Sequence, residues 1–164
     1  MLDIDQLPHG HTLEKTLDNF FFNENETLYI VKSSTTLFFR KKSKLNEKQR
    51  AFFKKDIRHT EFRIPLSSLD WVIDTIENGF MKLPSEGGLP ADTLHMKNLF
   101  DGQELKIRFS PNCMAEDEKG ISILNLSVPS KVHNYSTIQL PYVSLLEQGI
   151  LAELKRIAQN YKNA

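Results

Sequence analysis

Ten side chains carry the chemistry this sequence offers most openly: Lys32, Phe38, Arg40, Lys42, Arg50, Phe52, Lys54 and Arg58 in one stretch, Lys106 and Arg108 in another. Lysine and arginine neutralise phosphates, and phenylalanine faces stack on unpaired bases. Eight of the ten fall within 27–63, a stretch with eleven basic residues against only Glu47, Asp56 and Glu61. That stretch carries +8 and the remainder −8, so the formal net charge of zero conceals a strongly divided chain. The same lysines would also suit a solvated sheet edge guarded against aggregation.

Other chemistries find less material. Asp101 and the Glu104-Leu-Lys106 tripeptide resemble the acidic and basic groups with which some nucleases hold Mg²⁺, but a Glu and a Lys two apart on a solvated strand need no such role. His9 and His11 offer two ligands without a third partner or a cysteine pair, so no metal is expected. His59, beside Arg58, reads as part of a phosphate-facing surface. No glycine-rich phosphate loop, nucleophile elbow or Cys/His catalytic spacing occurs. No catalytic residue and no cofactor is expected.

The elements that must position the ten residues are those of an ordinary globular chain. It has 164 residues, 40% of them hydrophobic and 26% charged, enough for one buried core or for two small repeats sharing one. Apolar runs are far too short for a membrane span. The polar, acidic start predicts no signal or transit peptide, and a lone cysteine, Cys113, suits a reducing compartment. A cytoplasmic protein, bacterial or of a phage-infected host, is the expectation.

Residues 1–26 read as an N-terminal arm in which Leu13, Leu17, Phe20 and Phe21 follow helical spacing. Thr27–Val31, Thr35–Lys41, Arg50–Lys55 and Arg58–Ile64 read as strands, although 46–55 also suits a helical turn. Pro65 ends that series, and Ser67 or Ser68 can cap a helix whose apolar face is Leu69, Val72, Ile73, Ile76 and Phe80. After a loop-like 84–90 and an ambiguous 91–100, Glu104–Ser110, Ile121–Val128 and Tyr135–Leu140 read as strands. Pro141 and a Ser144/Glu147 capping box lead into a C-terminal helix that Gly149 interrupts.

Strands running through an apolar residue and proline into a helix thus occur twice, as Phe62-Arg-Ile-Pro and Ile138-Gln-Leu-Pro. This predicts an α+β fold of two four-stranded antiparallel sheets, in one domain over 27–164, with repeats at 27–83 and 101–164 each ending in a helix. Alternation places Leu37 and Phe39 in the core, Phe38, Arg40 and Lys42 outward, and Arg50, Phe52 and Lys54 together on one strand face. Lys106 and Arg108 lie opposite Leu105, Ile107 and Phe109.

The chain resembles the Whirly family of single-stranded-DNA-binding proteins over roughly Leu28 to Tyr161. Val31-Lys-Ser-Ser-Thr-Thr-Leu-Phe-Phe stands where the family has Lys-Gly-Lys-Ala-Ala-Leu, with Lys32 and Leu37 matching and Ser34 at the second lysine. Leu105-Lys-Ile-Arg, an acidic loop and Gly120-Ile-Ser-Ile-Leu-Asn-Leu-Ser-Val are similar to its hairpin, and Tyr135–Leu140 through Pro141 to its last strand and helix. The resemblance implies a homotetramer binding single-stranded DNA along its sheets with little sequence preference, in replication, recombination or repair. Positive-cofactor coactivators and mitochondrial guide-RNA-binding proteins are similar in design, so RNA is an alternative. A scaffold using the same basic sheet for an acidic protein partner is another.

Overall fold

The computed structural model describes residues 1–164. Two compact units follow one another along the chain, Met1–Arg63 and Ile64–Ala164. The architecture is α+β with two four-stranded antiparallel sheets, each in simple sequential order.

The first sheet is β1 (Thr12–Asp18), β2 (Glu26–Lys32), β3 (Thr36–Lys44) and β4 (Ile57–Pro65). Its first strand corrects the expected arm and its helix. Leu13 and Leu17, four apart, fit a helix turn and a strand face equally well, and pairing with β2 decides for the strand. A bulge between Leu13 and Lys15 then sends the two leucines to opposite faces, Leu13 beside Val31 and Leu17 beside Leu28. Phe20 is buried in the turn that follows, flanked by the left-handed residues Asn19, Phe21 and Phe22. Between β3 and β4 the strand read over Arg50–Lys55 gives way to the helical alternative for 46–55, as α1 (Glu47–Phe53), ending at a left-handed Lys54. A reciprocal cap nucleates it: Gln49 N–H donates to Asn46 Oδ1 (2.8 Å) and Asn46 N–H to Gln49 Oε1 (3.0 Å).

The second unit opens with α2 (Leu69–Asp74), continued by a π-helical turn over Thr75–Phe80. Neither candidate serine caps α2. Ser68 Oγ donates back to the Pro65 carbonyl (2.7 Å), and Ser67 Oγ donates to Asp101 Oδ2 (2.8 Å). The second sheet is β5 (His95–Phe100), β6 (Gln103–Cys113), β7 (Glu118–Asn125) and β8 (Ser136–Pro141). Its edge strand β5 occupies the ambiguous 91–100, so the second sheet, like the first, begins before the expected repeat. Gly149 adopts φ 76° and splits the C-terminal helix into α3 (Tyr142–Leu146) and α4 (Ile150–Lys162). Ser144 Oγ meets Gln148 Oε1 at 2.7 Å, in place of the expected box with Glu147. Leu69, Val72 and Ile76 form the buried face of the first helix, and Ile150, Leu154 and Ile157 that of α4, which packs on α2. Lys155–Glu77 and Lys162–Asp70 ion pairs flank this contact. No helix is long and apolar enough to cross a membrane.

Candidate nucleic-acid interface

Strand register sorts the expected binding residues of the first sheet onto two faces. Lys32 pairs across with Leu37 and so shares a face with Leu28, Ile30 and Phe39, where Phe39 meets the ring of Phe62. Its ammonium is held by Glu14 Oε1 at 3.1 Å. Phe38, Arg40 and Lys42 take the other face, opposite Val31, Tyr29 and Thr27 respectively. Lys32 and Arg40 therefore point away from each other.

Phe38 and Arg40 are each only 9% exposed, which corrects the outward placement expected for them. The reason lies outside the strand: the segment 1–11, part of the expected N-terminal arm, runs over this face. Leu2 N–H donates to Glu61 Oε2 at 2.7 Å, and the His11 ring lies 5.6 Å from that of Phe38. Arg40 stands between these anchors, with Nη1 3.9 Å from the same Glu61 oxygen. Its Nε and Nη1 are buried and have no hydrogen-bond acceptor.

The other four members of the basic stretch converge at the opposite end of the β3–β4 hairpin. Helix α1 buries none of its residues. Phe52 is 80% exposed, Phe53 44% and Ile57 37%. The two rings meet edge to face with centroids 4.9 Å apart, and the Arg58 guanidinium lies 6.0 Å from the Phe53 centroid. Lys48, Arg50, Lys54 and Lys55, all exposed, complete a cationic surround. Beside it opens a cleft of about 140 Å³ lined by Lys41, Lys44 and Arg58 with Ser43, Thr60 and Gln49. Its one carboxylate, Glu26, accepts a hydrogen bond from Ser43 Oγ (2.6 Å). On the sheet face, partial burial and the charges of Arg40, Lys42 and Lys55 hold the imidazole of His59 below its usual pKa.

In the second unit, Lys106 and Arg108 alternate with buried Leu105 and Ile107, as the pattern predicted, whereas Phe109, expected on the same face as these two, is 38% exposed. They pair across with Lys97 and His95 of β5 and form a second basic patch on their own sheet. Glu104 is engaged by Lys97 (3.3 Å), and Asp101 by Ser67. No group of three His, Cys, Asp or Glu side chains is arranged to hold a metal ion.

Geometry adds Phe53, Lys41, Lys44 and Lys97 to the residues singled out from sequence. Lys41 and Lys44, three apart, share no strand face by simple alternation, which is why period-two reasoning passed over them. Compared with protein-family models, with curated proteins and with solved structures, the chain matches none.

Proposed function

We propose that the chain is a non-enzymatic single-stranded-DNA-binding protein of Whirly-like design, acting with little sequence preference in replication, recombination or repair. The observation that carries this is the α1 surface: two adjoining aromatic rings held in solvent and surrounded by Lys48, Arg50, Lys54, Lys55 and Arg58. Exposed aromatic area of this kind is costly unless something covers it. An unstacked base covers a ring while its phosphates meet the cations. Duplex DNA presents no free base face, so the rings favour single strands. Lys41, Lys44 and Arg58 in the cleft extend the phosphate track, and Lys106, Arg108 and Lys97 supply a second one on the other sheet. Binding is passive: charge is neutralised, bases are held apart, and pairing within the strand is suppressed. Single-stranded RNA offers the same groups, and a homotetramer would multiply the sites.

The test is fluorescence anisotropy with labelled oligo-dT, an RNA of equal length and a duplex of equal length, together with a light-scattering mass. Tighter binding to the single strand is expected, with log affinity falling against log salt by about 0.7 for each phosphate neutralised. Absent binding, or equal binding to the duplex, overturns this function and favours the scaffold for an acidic partner.

A further inference from the structure

From the buried, under-used guanidinium of Arg40, and resting on the nucleic-acid reading above, we infer that segment 1–11 is a displaceable cover over a second seat for single-stranded nucleic acid, in which Arg40 takes a phosphate and Phe38 a base.

Arg40 is the least satisfied charge on its sheet. Two of its nitrogens lie buried without an acceptor, and its one carboxylate neighbour, Glu61, stands 3.9 Å away. The Glu61 oxygen nearest to it is the one that accepts the Leu2 N–H. The covering segment thus shares with Arg40 the one carboxylate that faces it. A buried donor without a partner is destabilising, so one that persists calls for an explanation, and a ligand that supplies the acceptor is one. Guanidinium geometry suits phosphate. Lys42 lies on the same face, and Arg40, Lys42 and Lys55 all act on the His59 imidazole, so cations outnumber the facing acids, Glu61 beside Arg40 and Asp18 across from Thr27. Phe38 lies two residues from Arg40 on the same face, with one imidazole ring, His11, against it. A base in that place would exchange one ring contact for another.

The cover is lightly fastened. Residues 1–11 add no strand to the sheet, and their own backbone bonds are local turns, Gln6 N–H to Asp3 O and His11 N–H to Pro8 O. Leu2, Ile4 and Leu7 are half-buried, while Asp3 and Asp5 stay in solvent. An incoming polyanion meets little to break.

Hydrogen exchange on the unaltered full chain, with and without oligo-dT, tests this directly. Faster exchange of the Leu2 amide and of residues 2–11 on adding oligo-dT is expected. The full-length double variant Ile4→Asp/Leu7→Asp, which loosens the cover, is expected to bind oligo-dT about tenfold tighter. Adding Arg40→Ala to it removes that gain, the size of one charge-assisted contact. Unchanged or slower exchange with oligo-dT bound, or equal affinities across the variants, overturns the covered seat and leaves the α1 surface standing. Equal opening by polyglutamate overturns the choice of nucleic acid as occupant. No oligo-dT binding by any form overturns the functional reading itself, and the seat with it.

Discussion

The carboxylate of Glu61 lies 3.9 Å from the guanidinium of Arg40 yet spends its nearer oxygen on the backbone of Leu2 at 2.7 Å. The pair is buried and incompletely bonded, a combination in which desolvation rivals the attraction between charges.

Replacing both partners, Arg40→Met with Glu61→Gln, should therefore leave stability unchanged or raise it by up to about 1 kcal/mol, since the orphaned donors and both charges disappear while the new amide oxygen can still accept the Leu2 N–H. Urea unfolding measures this. A loss above about 2 kcal/mol would show that the pair already holds the sheet together and that Arg40 is not kept for a ligand.

Phe52 should show the reverse separation of stability from binding. Its ring is largely in solvent, so Phe52→Ala is expected to shift unfolding by no more than about 0.5 kcal/mol. Removing a stacked base should weaken oligo-dT binding by about 1–3 kcal/mol. Thermal melts and anisotropy on the same preparation check both halves, and a stability loss matching the affinity loss would refute the separation.

His59 supplies a pH dependence. Its folded pKa is lowered from the model-compound 6.5, first by partial burial and then by Arg40, Lys42 and Lys55. The unfolded chain thus binds more protons than the folded one below about that value, so stability falls as pH drops through 6.5 towards the folded pKa. A phosphate beside the imidazole has the opposite effect and raises its pKa. Oligo-dT binding should then take up a proton and strengthen as pH falls towards 6.5, opposed by the facing carboxylates Glu61 and Asp18. Proton uptake by calorimetry in buffers of different ionisation heat reads the sign, and His59→Gln should flatten the profile.

Gly120 tests the second sheet. A Cβ there would stand 2.5 Å from the Leu140 carbonyl oxygen, 2.7 Å from Pro141 Cα and 2.8 Å from Cys113 Sγ. Two of these are backbone atoms of β8 and cannot swing away, so Gly120→Ala should cost about 1–3 kcal/mol. The neighbouring Cys113 thiol, pushed up to about 11 by burial, should stay inert to alkylation in the folded protein and become more reactive in this variant.

Much of the molecule was legible in order along the chain. Alternation in Glu104–Ser110 placed Leu105 and Ile107 inward and Lys106 and Arg108 outward, because strand pairing holds one register there, although Phe109 at its end is exposed, and the apolar spacing from Leu69 to Ile76 marked a helix face even though the turn from Thr75 is π-helical. The α+β class followed from two runs of strands each passing through proline into a helix. The charge count alone located the basic stretch.

Tertiary structure decided the rest where local signals were balanced. Leu13 and Leu17 suited a helix or a strand, and only pairing with Val31 and Leu28 made β1. Arg50 to Lys54 alternated like a strand, but a two-hydrogen-bond cap at Asn46 and Gln49 turned it helical and carried Phe52 into solvent. Phe38 and Arg40 did lie on the polar face of their strand. Their exposure depended on a segment nearly thirty residues earlier, and burial is set by what folds over a face, which periodicity along one strand does not contain.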